Sequence, residues 1–109
     1  MPKVSIIIPT YNRAKLMQER ALKSALLQNF TDKEIIVVDH GSIDGTIFLA
    51  NKYHRVKFIR IEQNSGIVST ARNRGVREAK GKYVVFVDDD NELMPNFLSK
   101  TVPLLEEAK

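Results

Sequence analysis

Glu34-Ile35-Ile36-Val37-Val38-Asp39 is the stretch that decides the fold. Four consecutive β-branched residues, bounded by acids and showing no polar alternation, describe a strand buried on both faces. Strands of that kind belong to parallel sheets covered by helices on either side. Upstream, Val4-Ser5-Ile6-Ile7-Ile8-Pro9 is a second apolar run, stopped by Pro9. Between the two, Ala14–Gln28 puts Met17, Ala21 and Ala25 on one helical stripe, with Leu22 and Leu26 beside it. Downstream, Gly41-Ser42-Ile43-Asp44-Gly45 is turn chemistry, followed by a short helix from Thr46 to Tyr53 and a strand at Val56–Ile61. Asn64-Ser65-Gly66 can open another helix, with Val68, Ala71, Gly75 and Ala79 at helical spacing, and Gly81 stops it. Tyr83-Val84-Val85-Phe86-Val87 is the fourth strand, and Pro95 suits the first turn of a last helix over 96–107.

Four apolar strands alternating with helices predict an α/β fold: a doubly wound, mostly parallel sheet with helices on both faces. Right-handed crossovers favour the order 3-2-1-4, which reverses direction between strands 1 and 4. Ligands of such sheets bind outside the carboxyl ends of the strands at that reversal. The loops expected to carry chemistry are therefore Thr10-Tyr11-Asn12-Arg13 and Asp88-Asp89-Asp90-Asn91.

Composition agrees with one domain over residues 1–109. The chain is 43% hydrophobic and 28% charged, which excludes disordered and fibrous classes. It has no cysteine, hence no disulfide framework, thiolate metal site or thiol nucleophile. No apolar run is long enough for a membrane span, and Met1-Pro2-Lys3 leads straight into the first strand without a signal-peptide pattern. A cytoplasmic domain is the expectation. The net charge of +4 is unevenly spread: residues 52–82 carry nine basic and two acidic side chains, residues 83–109 two and six. A basic middle beside an acidic cluster is unlike the uniform basic face of a nucleic-acid binder. It suits a site that holds a cation and an anion together.

Asp88-Asp89-Asp90 at the end of an apolar strand would repel one another without a compensating cation. Hard carboxylate ligands suit Mg²⁺ or Mn²⁺, which take one or two carboxylates together with phosphates and water. In an extended segment Asp88 and Asp90 would share a side, with Asp89 turned away; the competing reading is a solvated loop whose acids cap the next helix. Asp39, ending strand 2, can accept hydrogen bonds from a base or ribose, or simply shape the Gly41-Ser42 turn. Asp44 reads as a helix N-cap. Arg13 and Arg72 can clamp phosphate, although most arginines on such helices are only solvated. His40 and His54 show no catalytic partner spacing. There is no Walker A loop, no GxGxxG after strand 1 and no Gly-x-Ser-x-Gly elbow. A receiver-like signalling domain is excluded because Ile61 is followed by Glu62-Gln63-Asn64 and not by an aspartate.

These blocks together resemble the family 2 glycosyltransferases, inverting nucleotide-sugar enzymes of the GT-A fold. Val4 through Arg13 resembles the family's opening, Glu34 through Thr46 its second block, Asn64-Ser65-Gly66 through Gly75 its third, and Phe86 through Asn91 its DxD block, with Pro95 behind. The resemblance implies that Pro9, Thr10, Tyr11, Arg13, Asp39, Arg72, Asp88 and Asp89 bind the nucleotide, with Asp39 on the base. It implies that Asp90 contacts a divalent metal, Mg²⁺ or Mn²⁺, with Asp88 on the ribose or a metal-bound water. A UDP-sugar is the implied donor and the acceptor is open. His40 stands where the family usually has an acid or an amide. The family's general base lies further along, on the acceptor half, and nothing in 1–109 replaces it convincingly: Glu92 is too near the metal, and Glu106 and Glu107 belong to the last helix. The expectation is thus an N-terminal donor-binding half, either of a transferase or of a non-catalytic nucleotide-sugar-binding module that depends on a partner. Strand 4 is an uncharged sheet edge, which points to a homodimer built through that edge, with Val85→Lys as its probe.

Overall fold

The computed structural model describes residues 1–108, and its four strands form one sheet: β1 (Val4–Thr10), β2 (Lys33–His40), β3 (Val56–Ile61) and β4 (Tyr83–Phe86). All three pairings are parallel and the order is β3-β2-β1-β4, the one expected. The helices follow the chain: Ala14–Met17 (α1), a π-helical turn over Gln18–Leu22, Lys23–Leu26 (α2), a 3₁₀ helix over Thr46–Asn51, Val68–Glu78 (α3) and Phe97–Glu107 (α4).

The continuous apolar runs reflect a sheet buried from both sides. Ile6 and Ile8 of β1, with Ile35 and Val37 of β2, pack against Met17, Ala21, Leu22 and Ala25 and against Leu98 and Val102 of α4. Ile7, Ile36, Val38 and Ile59 face the other way, onto Ala71 of α3. Each such isoleucine or valine, removed from water, contributes about 1.5–3 kcal/mol. Gly75 allows α3 to lie this close, since a Cβ there would stand 2.5 Å from Ile7 Cγ2.

Several local expectations are corrected. Pro9 does not stop β1; it pairs with Val38 and the strand runs on to Thr10. The Ile7 carbonyl accepts from Val87 N–H, so odd-numbered residues of β1 turn their backbone groups toward β4. That pairing ends at Ile7–Phe86, so Pro9 lacks a donor where no partner strand needs one. The helix expected as one piece over 14–28 is interrupted by the π turn, where Gln18 donates to the Ala14 carbonyl and accepts from the Tyr53 hydroxyl. Thr46–Tyr53 is a 3₁₀ helix ending at Asn51, α3 starts only at Val68, and β4 stops one residue early, at Phe86. Pro95 precedes α4 by two residues, and Pro103 lies inside it.

Glu106 anchors α4 to the start of the sheet. Its carboxylate accepts from Lys3, from Lys82 at 3.1 Å and from the Tyr83 hydroxyl at 2.9 Å. The Lys3 ammonium, then Lys82 and Tyr83, hold its pKa down to about 2. Among the described residues the outer edge of β4 has no strand beside it, and Val84 and Phe86 are exposed.

Candidate functional site

Register brings the strand ends level. Thr10 pairs with Asp39 and Asp39 with Arg60, so the carboxyl ends of β1, β2 and β3 lie side by side. A cavity of about 560 Å³ opens there, at the reversal of strand order. Pro9, Thr10, Tyr11 and Arg13 come from the first loop, Asp88, Asp89 and Asp90 from the loop after β4, and Ala71 and Arg72 from α3. Both loops marked by topology therefore line it.

The three aspartates do not continue the strand. The Asn91 N–H donates to the Asp88 carbonyl at 3.0 Å, closing a turn, so the extended geometry assumed for an Asp88/Asp90 pair is replaced by a bend. Asp89, expected to turn away, is the buried member: it accepts from the Thr10 hydroxyl and from Arg13, both at 3.0 Å. Asp88 and Asp90 are about half exposed, at 51% and 52% of their side chains. Arg72 meets Asp88 at 2.9 Å and lies over the Phe86 ring, while Arg13 also stands 3.6 Å from Asp90. Arg72 Nε is buried without a hydrogen-bond partner among the described residues.

The donor set suits a hard divalent cation only in part by itself. Among the described residues no group of three or more acidic or histidine side chains converges on one point. Two half-exposed carboxylates on a turn, facing a cavity, match the small protein share that Mg²⁺ or Mn²⁺ takes when phosphate oxygens and water complete the shell.

Asp39 lies near the end of β2. Its side chain is fully buried and does not line the cavity. One oxygen accepts from the Ser42 N–H at 2.9 Å and the other from Arg60 at 2.9 Å, which is the turn-shaping role. Asp44 is not the N-cap, which is Gly45, but its carboxylate accepts from the Thr46 N–H in its own turn and from the Ala14 N–H at the start of α1. Burial acts to raise its pKa, but the Thr46 and Ala14 hydrogen bonds prevail and hold it below the ordinary value. Asn12, with φ +52, stitches the loops together: its N–H donates to Ser42 Oγ and its Oδ1 accepts from Ile43 N–H, both at 2.8 Å.

Sequence reasoning missed part of the wall. His40, Asn64, Gly66, Ile67 and Val68 also line the cavity. The one available signal was position: His40 ends β2, and the 64–68 loop follows β3 at the same end of the sheet. His54 lies exposed and outside the cavity lining.

Fold and cavity together define an α/β domain whose candidate site is a cavity at the strand-order reversal, lined by arginines and aspartates. The chain matches the family model described as Glycosyl transferase family 2 over residues 5–109, and it belongs to that family. A GalNAc(5)-diNAcBac-PP-undecaprenol beta-1,3-glucosyltransferase of Campylobacter jejuni is 39% identical to it over 103 residues, covering 91% of this chain and 33% of its own length. The crystal structure of Staphylococcus aureus TarS 1-349 in complex with UDP-GlcNAc matches with a TM-score of 0.88 at 35% identity, covering 96% of this chain and 31% of that one. The mannosyltransferase PcManGT of Pyrobaculum calidifontis, in complex with GDP-Man and Mn²⁺, matches with a TM-score of 0.80 at 28% identity, over 99% of this chain and 33% of that one. The chain thus spans about a third of the length of each. Among the described residues, no helix is long and apolar enough to cross a membrane.

Proposed function

We propose that this chain forms the donor-binding part of a glycosyltransferase and holds a nucleotide-diphosphate sugar, a UDP-sugar by preference, together with Mg²⁺ or Mn²⁺. The cavity that unites Thr10, Tyr11 and Arg13 with Arg72 and the Asp88–Asp90 turn carries the reading. Two arginines and three aspartates stand there already paired. A diphosphate entering with one divalent cation adds no net charge, so it exchanges partners without leaving a bare ion. Asp90, the more weakly paired acid at 3.6 Å from Arg13, is placed to hold the cation, with Asp88 beside it. Arg13 and Arg72 take the phosphates, and Pro9, Thr10 and Tyr11 line the nucleoside end. The cation, when bound, stabilises the charge that develops on the departing diphosphate. The TarS and PcManGT complexes support the donor class and the metal.

Every acid lining the cavity is paired with an arginine, which leaves none of them free as a general base. That supports donor binding by these residues, with the base supplied from outside them. Calorimetry with UDP-GlcNAc separates the steps. Binding should appear with Mn²⁺ and weaken at least about tenfold in chelator, and Asp90→Ala should remove most of that difference, because a diphosphate beside two remaining acids is repelled without its cation. Equal binding in chelator would sink the metal role. General-base assistance is worth roughly 10²–10⁴-fold, so only slow donor hydrolysis is expected from residues 1–109 alone.

The β4 edge, with no strand beside it among the described residues, favours a second copy of this chain as partner. Val84 is the better probe than Val85, since Val85 packs onto the core and Val84 is exposed. Light scattering over a dilution series should show dimers that Val84→Lys dissociates; a monomer at all concentrations would refute it.

A further inference from the structure

We infer that His40 is a positioning residue for the nucleotide sugar: it holds the loop between β3 and α3 in place as one wall of the cavity. The inference rests on the reading of that cavity given above. His40 is buried, ends β2 and lines the cavity. The Ser65 backbone N–H donates to its Nε2 at 3.2 Å, and Ser65 Oγ lies 3.1 Å from the same nitrogen. A backbone N–H can only donate. Nε2 is therefore the acceptor in this contact.

Ser65 passes the hold along the loop. Its hydroxyl oxygen accepts from the Ile67 N–H at 3.2 Å and lies 3.1 Å from the Thr70 hydroxyl, in the first turn of α3. Beside it, Gly41 (φ +80) comes so close that a Cβ would stand 2.6 Å from the Asn64 nitrogen, so the two loops meet backbone to backbone. One ring nitrogen thus fixes the segment that contributes Asn64, Gly66 and Ile67 to the cavity.

Protonating Nε2 turns the acceptor into a donor that faces another donor, and the hold is lost. The ionisable groups around His40 are Tyr11, Arg13, Arg72 and Asp88–Asp90 in the same cavity, Asp39 before it on β2, Arg60 opposite Asp39 on β3, and Glu62, which pairs with Arg60. An imidazole is the side-chain type that ordinarily changes charge between pH 5 and 8. A glutamine at position 40 would present its Oε1 where Nε2 stands and would accept without titrating.

The test uses the chain with His40→Ala and His40→Gln. In the ligand-free chain at pH 8, nitrogen NMR should show His40 Nε2 unprotonated. Exchange of the Ser65 amide should be about five- to tenfold faster in His40→Ala and near wild type in His40→Gln, as expected for loss or retention of one such hydrogen bond. With Mn²⁺ and UDP-GlcNAc, affinity should fall by a similar factor in His40→Ala at pH 8. It should also fall in wild type from pH 8 to pH 5, while His40→Gln stays flat. A protonated Nε2 at pH 8, or a Ser65 amide indifferent to both substitutions, would overturn the hold. Equal affinities and equal pH profiles in all three proteins would overturn the positioning role. No binding of UDP-GlcNAc by any of them would instead overturn the nucleotide-sugar reading, and the exchange data alone would then decide the hold.

Discussion

Arg60→Met tests whether the tip of β2 is held by a buried ion pair. Arg60 Nη1 donates to Asp39 Oδ2 and to the Ser42 carbonyl, both at 2.9 Å. Asp39 has 0% side-chain exposure, whereas Arg60 retains 26%. Methionine keeps most of the apolar stem and removes the guanidinium, leaving a buried carboxylate oxygen and a carbonyl with no donor. Breaking a fully buried pair from one side costs about 3–5 kcal/mol. Water reaching the site along the partly exposed Arg60 side brings the expectation to the lower end, about 2–3 kcal/mol. For a chain of this length that is a fall in Tm on the order of 10 °C. Urea unfolding at pH 7, followed by circular dichroism, measures it. Asp39→Asn in the Arg60→Met background removes the uncompensated charge while keeping an oxygen for the Ser42 N–H. The double variant should therefore recover at least about 1 kcal/mol relative to Arg60→Met alone. Two results would refute the reasoning: an Arg60→Met chain within about 0.5 kcal/mol of wild type, or a double variant that is merely the sum of the single ones.

Gly75→Ala gains about 1 kcal/mol of helix propensity but drives a Cβ to 2.5 Å from Ile7 Cγ2 in the core. Overpacking of that kind costs about 1–3 kcal/mol, so the outcome lies between no change and a net loss of about 2 kcal/mol, and a raised unfolding midpoint would contradict the close approach of α3. Glu106→Gln tests the α4 anchor through pH. Because its folded pKa is depressed from 4.5 to about 2, the contribution of Glu106 is present above pH 4.5 and is lost as pH falls from there to about 2. The Tm gap between wild type and Glu106→Gln should be open at pH 6 and close by pH 2; a gap independent of pH would refute the anchor.

The sheet was legible because its signals are local and strong. Uninterrupted β-branched runs at Ile6–Ile8 and Ile35–Val38 admit only a strand covered on both sides, and the topological rules then leave one economical order. What misled was local chemistry decided by neighbours distant in the sequence. Pro9 reads as a terminator until the divergence of β4 shows that its missing donor faces no strand. Asp88–Asp90 read as an extended pair plus one outlier, whereas the turn at Asn91 replaces the extended geometry and buries Asp89 against Thr10 and Arg13. Asp39 read equally as a ligand contact or a turn-former. Only Arg60, 21 residues away, shows that both its oxygens are occupied.

The last two residues of β2 show why site and scaffold are hard to separate here. Strand periodicity turns Asp39 to the α1 face with Ile35 and Val37, and His40 to the α3 face with Ile36 and Val38. Each then governs a different loop. Asp39 fixes the Ser42 backbone, and the Ser42 hydroxyl in turn holds the N–H of Asn12 in the first loop. His40 fixes Ser65 in the loop after β3. The walls of the cavity are thus tied to one another through the end of a central strand. Loops held this way keep their shape before a ligand arrives, which lowers the ordering cost of binding. A substitution at position 39 or 40 should therefore weaken ligand binding even where its side chain touches no ligand atom. Loss of affinity alone cannot mark either residue as a contact, and for His40 the pH profile of the glutamine variant makes the distinction.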